Sequence, residues 1–143
     1  MTGAPLAPAE RRLRLLLRGY AALFLVAAAL YVTLPEQALR IANALSAALT
    51  PSLPPIPISV EKFWLALAFS MLVTIAALCW MAQKDIRANR GFVVPVLISK
   101  AASTACYVAL FLLSARHAAY LFGAATDLVL LVAAAVVYRQ AGR

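Results

Sequence analysis

The sequence predicts an all-α integral membrane protein, a four-helix bundle with a short interfacial helix in the first outer loop. Of its 143 residues, 65% are hydrophobic and 13% are charged, against about 45–50% and about 25% in a soluble domain. Four stretches reach the roughly 20 apolar residues that a span requires. This composition excludes a soluble globular domain and, because disordered chains are poor in apolar residues, a disordered one.

We interpret residues 1–143 as a single transmembrane domain with spans at about 15–34, 63–82, 92–114 and 118–138. The basic lead-in Arg11–Arg14 is typical of a signal peptide, but the apolar run behind it is long and ends in Leu34-Pro35-Glu36 rather than in a small-residue cleavage site. We therefore expect a retained first helix, with Arg18 extending to the lipid headgroups.

The distribution of basic residues predicts the orientation. One side carries Arg11, Arg12, Arg14, Arg18, Lys84, Arg87, Arg90, Arg139 and Arg143; the other carries Arg40, Lys62 and Arg116. Because Lys and Arg accumulate on the cytoplasmic side, both termini are predicted to be cytoplasmic. We therefore attribute the net charge of +8 to membrane orientation and contact with anionic lipid, and not to nucleic-acid binding.

The one long connection, residues 35–62, lies on the outer side. Thr33 and Glu36 have capping-box spacing, which predicts a helix running to Leu49. Its apolar face is formed by Leu39, Ala42, Leu45 and Leu49, so the helix is expected in the membrane interface. The proline-rich run 51–57 returns the chain in extended form. The alternative is a plain hydrophobic linker.

Two ionisable residues lie deep within spans, Lys100 in the third and Asp127 in the fourth. Lys100 lies about 10 Å and Asp127 about 16 Å from the cytoplasmic boundary at the helical rise of 1.5 Å per residue. The difference of about 6 Å is within the reach of a lysine side chain. The two helices are antiparallel and joined by a tight turn at residues 115–117, so a Lys100–Asp127 pair is geometrically allowed.

Further polar residues share that depth. Lys100, Ser103, Thr104 and Tyr107 follow helical spacing on one face, and Thr74 of the second span lies at a similar level. The spacing Ala119-x-x-x-Gly123 predicts close helix approach beside them. The candidate ligand-binding residues are Lys100, Asp127, Ser103, Thr104, Tyr107 and Thr74.

Two interpretations of this polar layer remain open. The residues can hold the helices in register through interhelical hydrogen bonds of about 0.6 kcal/mol each, or they can line a cavity, since charge inside a span indicates a functional site. In the second case we expect a small non-enzymatic protein that binds a lipid-like ligand or a partner membrane protein, the partner including a second copy of the chain. The alternative is a proton- or ion-coupled transporter of a small hydrophobic or cationic compound, with Asp127 as the protonation site.

Other classes of function have little support in the sequence. A single histidine, His117, cannot provide a bis-histidine haem site, and no set of ligands converges on a metal, so we expect no cofactor. Cys79 and Cys106 lie at different depths and are interpreted as packing residues that cannot pair. His117 is interpreted as part of a solvated turn, with a headgroup contact as the alternative. Residues 84–90 are interpreted as a solvated loop, with a docking site for anionic lipid or a protein partner as the alternative. No catalytic motif is present, and we expect no enzyme.

Several short motifs resemble those of small four-helix bacterial membrane proteins of the DoxX-like set, many of which have no assigned activity. They are Leu34-Pro35-Glu36 with Leu39 and Arg40, Phe63-Trp64, Lys100 with Ser103, and Asp127. The glycine-rich first helix of that set is missing, since the first span contains only Gly19. The resemblance implies the four-helix fold and a bacterial inner membrane, and no reaction.

Overall fold

The structure is a computed structural model that describes residues 5–58, 63–114 and 116–142, without the side chain of Phe63. Of the described residues, 83% are helical and none lies in a strand, which confirms the all-α four-helix bundle. The helices are α1 (Pro8–Thr33), α2 (Pro35–Leu49), α3 (Phe63–Lys84), α4 (Val93–Leu113) and α5 (Ala118–Gln140), with a 3-10 turn at Arg90–Phe92 before α4. Lys62, Ala115 and Arg143, which entered the predicted orientation and turn, lie outside the described residues.

Helix α1 begins seven residues before the predicted span. Pro8 occupies its first turn, where the missing N–H costs nothing, and the Glu10 carboxylate accepts a hydrogen bond from the Ala7 backbone N–H at 2.7 Å. The basic lead-in is therefore helical and continuous with the span. Arg18, expected to extend to the headgroups, is exposed and donates from Nε to the Gln83 side-chain oxygen at 3.2 Å.

The four long helices form a ring in the order α1, α3, α4, α5, with the closest packing within the pairs α1–α3 and α4–α5. The densest core lies at the end of the bundle that holds the start of α1 and the end of α3. Leu13, Leu17, Ile86, Val93 and Cys79 are fully buried there. Tyr20 joins α1 to α5 by donating its hydroxyl to the Leu130 carbonyl at 2.5 Å.

The lipid-facing surface of the bundle is strongly apolar. In each of the four spanning helices no more than 28% of the most apolar window is buried within the chain, so large side chains such as Leu15, Val129 and Leu112 are exposed. Each helix is long and apolar enough to cross a membrane. Cys79 is buried, as expected of a packing residue, but Cys106 is on the exposed surface and both thiols are free.

Helix α2 is present as predicted, but the predicted cap at its start is wrong. Thr33 is the last residue of α1 and donates to its own helix at Ala29, at 2.8 Å, so it does not cap α2. Of the predicted apolar face, Leu39 and Ala42 are half-buried and Leu45 and Leu49 are exposed, while half-buried Asn43 and buried Ser46 also face the protein. These two polar side chains find hydrogen-bond partners, which is why they can face the protein.

Asn43 of α2 is hydrogen-bonded to the proline-rich segment 51–57, which we call the return. Its amide nitrogen donates to the Ile56 carbonyl at 2.9 Å, and its amide oxygen accepts from the Ile56 N–H at 2.8 Å. His117 was expected to be solvated, but its Nδ1 lies 2.9 Å from the Pro54 carbonyl. The return segment is thus held from both α2 and the α4–α5 turn.

The connection between α3 and α4 was expected to be a solvated loop, but it is built into the basic end of the bundle. Arg87 makes a two-point contact with the Glu10 carboxylate at 2.7 and 2.9 Å, and this hydrogen bonding raises the pKa of Arg87. Arg90 donates to the Tyr138 carbonyl at 2.6 Å and lies 4.2 Å from the centre of its ring. These contacts gather the start of α1, the loop and the end of α5 at one end.

Candidate ligand-binding site

An ion pair joins α4 and α5 inside the bundle. Lys100 Nζ lies 2.9 Å from Asp127 Oδ1, and the two side chains are only 8% and 13% exposed. The Ser103 hydroxyl donates to the other carboxylate oxygen, Oδ2. The structure therefore brings together three of the six predicted site residues, and the depth argument explains why: Lys100 extends along its helix to reach the deeper carboxylate.

Lys100 has a second neighbour on another helix. Its ammonium lies 4.8 Å from the ring centre of Phe24 in α1, a distance at which the ring quadrupole attracts a cation. Phe24 carries no chemical motif, and only the packing of α1 against the other helices brings it here. Sequence periodicity gave no signal for this contact.

Thr104 and Tyr107 lie on the same inward stripe of α4, as predicted. Thr104 is half-buried, and its hydroxyl donates to the Lys100 carbonyl of the same helix at 2.7 Å. Tyr107 is half-buried, and its ring centre lies 6.5 Å from that of Tyr120. The stripe thus runs from the ion pair toward the end of the bundle that α2 covers.

Thr74 is not brought to this cluster. Its side chain is exposed and its hydroxyl donates to the Ser70 carbonyl of the same helix at 2.8 Å. Thr74 shares the depth of the pair, but depth does not determine the direction in which a residue points around the helix. The prediction that Thr74 joins the lining of the polar layer is therefore wrong for this structure.

Gly123 allows α4 and α5 to approach closely above the ion pair. A Cβ placed on Gly123 would lie 2.8 Å from two ring carbons of Tyr107, closer than packed carbon atoms come. Ala119, four residues earlier, is buried. The small-residue spacing predicted from the sequence is therefore used to seat the Tyr107 ring.

A groove of about 800 Å³ opens on this side of the bundle, beneath α2 and the proline-rich return. We call it the aromatic groove, because its lining includes Tyr31, Trp64, Tyr107, Tyr120 and Phe122. Its volume falls in the range of small-molecule sites, which are mostly apolar with a few polar groups. Trp64 packs edge-on against Tyr31 with 5.9 Å between ring centres.

The ion pair lies just beyond the inner end of the aromatic groove. Tyr107 and Gly123 line the groove, and Ser103 and Asp127 lie one helical turn further along the same two helices. Thr126, which also lines the groove, is the chain neighbour of Asp127. A ligand in the groove would meet aromatic rings along its length and hydroxyl groups at the end nearest the charges.

The described residues contain no cluster of three or more His, Cys, Asp or Glu side chains that could hold a metal ion. Among the described residues, the polar groups near the inner end of the groove are one carboxylate, one ammonium and several hydroxyls. Both Asp127 oxygens are already engaged, one by Lys100 and one by Ser103. Because an ammonium has three N–H donors and a carboxylate oxygen has two lone pairs, the pair keeps hydrogen-bonding capacity for the polar end of a ligand.

Comparison with known proteins gives no relative of this chain. No family model, no curated protein and no solved structure matches it. The resemblance to DoxX-like proteins stays a prediction.

Proposed function

We propose that this protein is a small, non-enzymatic membrane protein that binds a lipid-like ligand in the aromatic groove. The ligand would be mostly apolar with one polar end, which lies toward Tyr107, Thr126 and the Lys100–Asp127 pair. A partner membrane protein that inserts a side chain or helix face of the same character is the other occupant that this site would suit.

The observation that carries the proposal is the position of a buried ion pair at the inner end of an aromatic-lined groove. An ion pair used only to hold helices together needs no groove beside it, and well-packed apolar residues often stabilise as well as such a pair. Four rings from four elements, Tyr31, Trp64, Tyr107 and Tyr120, form walls that suit rigid or chain-like apolar groups.

We further propose that the membrane is a bacterial inner membrane and that both termini are cytoplasmic. Support comes from the clustering of basic residues: Arg11, Arg18, Arg87 and Arg90 belong to one end of the bundle, where contacts tie α1, the α3–α4 loop and α5 together. Arg40 and Arg116 are the described basic residues at the other end. Basic residues are retained on the cytoplasmic side.

The test is a substitution in α2 that fills the groove with a large side chain. Ala42 of α2 lines the groove, whereas Ala48 of the same helix is exposed and does not. Native mass spectrometry of protein released from its own membrane in mild detergent should show an added mass on the wild type and on Ala48→Phe. Ala42→Phe should lose it. Equal retention by the two variants, or bare wild-type protein, contradicts the proposal.

Coupled transport is a second candidate, favoured by the presence of a carboxylate that is held by a lysine one turn from the groove. Asp127 would take up the proton and release Lys100 when a small hydrophobic or cationic compound binds. In this case Asp127→Asn should abolish uptake while the protein still folds and keeps its elution profile in detergent. Uptake at the wild-type rate by a folded Asp127→Asn protein excludes this mechanism.

A further inference from the structure

A second groove of about 600 Å³ lies between α1 and α3, at the end of the bundle opposite the aromatic groove. We call it the basic groove. Its lining includes three cations, Arg14, Arg18 and Lys84, and no carboxylate. Within the described part of the chain, none of the three forms an ion pair, in contrast to Arg87 and Lys100.

Two buried nitrogen atoms of this lining lack a hydrogen-bond acceptor among the described residues, Arg14 Nε and Gln83 Nε2. Gln83 is only 8% exposed. Its side-chain oxygen accepts from Arg18, and because a guanidinium can only donate, the amide nitrogen must point to the other side of the group. Buried donors without acceptors are rare and costly, so an acceptor from outside the protein, a water molecule or an anionic group, would complete this lining.

The basic groove continues into an apolar one along the same two helices. Ala21, Leu25 and Trp80 line both the basic groove and a second cavity of about 250 Å³, whose remaining lining is Val73, Ala76, Ala77 and Met81. Along the two helices the lining therefore begins with three cations, continues with the indole ring of Trp80 and ends with aliphatic and thioether side chains. A free anion would use only the first part of this surface.

We propose that the basic groove is a binding site for an anionic phospholipid of the adjacent leaflet. The phosphate and its anionic headgroup would lie among Arg14, Arg18 and Lys84 and accept hydrogen bonds from Arg14 Nε and Gln83 Nε2. An acyl chain would follow the α1–α3 groove past Trp80. This site is separate from the aromatic groove and does not depend on the function proposed for that groove.

The position of Trp80 provides a direct test. The chain has two tryptophans, so Trp64→Phe leaves Trp80 as the only indole. This protein is reconstituted in phosphatidylcholine vesicles that contain increasing fractions of dibrominated phosphatidylglycerol or dibrominated phosphatidylcholine, and quenching of Trp80 is measured. Since each surface cation contributes a factor of about five to anionic lipid binding, half-maximal quenching should need at least about fivefold less of the anionic lipid.

Three further samples give the matched comparison. Arg14→Gln with Lys84→Gln should abolish the preference, whereas Arg12→Gln with Arg139→Gln, an equal loss of charge at exposed positions outside the groove, should leave it. If the first pair does not fold, Gln83→Glu keeps the side-chain shape and places a carboxylate against the phosphate, and it should also abolish the preference.

Equal quenching by the two brominated lipids overturns the proposal. So does an equal loss of preference in the matched control, which would show only the general potential of a basic surface. Loss of the preference on addition of inorganic phosphate would show a free-anion site instead of a lipid site. A change in ligand retention caused by Ala42→Phe has no bearing on any of these outcomes, because Ala42 lies in the aromatic groove.

Discussion

At the scale of single residues, Gly123 is a position where adding one methyl group should lower the stability of the protein. Any Cβ there lies 2.8 Å from the Tyr107 ring, so Gly123→Ala must push the ring into the aromatic groove. Overpacking of this kind costs about 1–3 kcal/mol, and we expect the lower end because the ring can move. Thermal unfolding in detergent, followed by circular dichroism, checks the loss.

Gly19 provides the matched control for this prediction. It lies within a helix like Gly123, and a Cβ at its position meets nothing within 4 Å. Alanine is a better helix former than glycine by about 1 kcal/mol, so Gly19→Ala should leave stability unchanged or raise it. Equal destabilisation by the two substitutions would contradict the packing described for Tyr107.

The ion pair leads to a second prediction at this scale. Lys100→Met and Asp127→Leu each leave one buried charge without its partner, a change that costs about 3–5 kcal/mol in a protein interior. The two substitutions together remove both charges and should recover most of that stability. A double-mutant cycle measured by unfolding in detergent gives the coupling, and strictly additive losses would contradict a direct pair.

The predictability of individual contacts differs sharply between residues. The Lys100–Asp127 pair followed from helix rise and span boundaries, because antiparallel neighbours share a common depth scale. Ser103 followed from spacing on the same face. Phe24 near Lys100 did not follow, and Thr74 was assigned wrongly, because both depend on how helices α1 and α3 are rotated about their axes in the bundle, which depth alone does not determine.

At the scale of elements, α2 and the proline-rich return act as one unit because Asn43 bonds both backbone groups of Ile56. Asn43→Leu leaves the partly buried N–H and C=O of Ile56 without partners, at up to about 1–3 kcal/mol each, so the return should detach from α2. Hydrogen exchange of the Ile56 amide should rise by tenfold or more while exchange in α3 and α5 stays unchanged.

Gln37, exposed on the same helix, is the control. Gln37→Leu should not change exchange at Ile56, and an equal effect of both variants would show that α2 itself unfolds. The helix was predictable from Pro35 and the apolar spacing. The hydrogen bonds to Ile56 were not predictable. From the sequence alone Asn43 is interpreted as a solvent-facing polar residue, because its partner lies thirteen residues later in the chain.

At the scale of the whole molecule, the basic end and the aromatic groove lie at opposite ends of the bundle. Topology can be tested in a variant without Cys79 and Cys106, using Ser52→Cys in the return segment and Gln140→Cys at the end of α5, both exposed positions. A membrane-impermeant maleimide should label position 52 in intact spheroplasts and position 140 only after lysis. The reverse pattern would contradict cytoplasmic termini.

The number, order and approximate bounds of the spanning helices were predictable because about 20 apolar residues in a row have no other stable arrangement in water or lipid. The two grooves were not predictable. Each is formed by side chains from separate helices, and Tyr31, Trp64 and Tyr120 meet only after α1, α3 and α5 are packed. The ring order α1, α3, α4, α5 is the information that the sequence pattern lacks.

The central claim is that the Lys100–Asp127 pair serves a ligand in the neighbouring groove in addition to joining two helices. Native mass spectrometry of the Lys100→Met, Asp127→Leu double variant, compared with wild type from the same membrane, tests it most directly because the double variant should remain folded. We predict that the wild type carries an added mass and that the folded double variant has lost it. A folded double variant with wild-type ligand occupancy would contradict the claim and leave the pair a purely structural one.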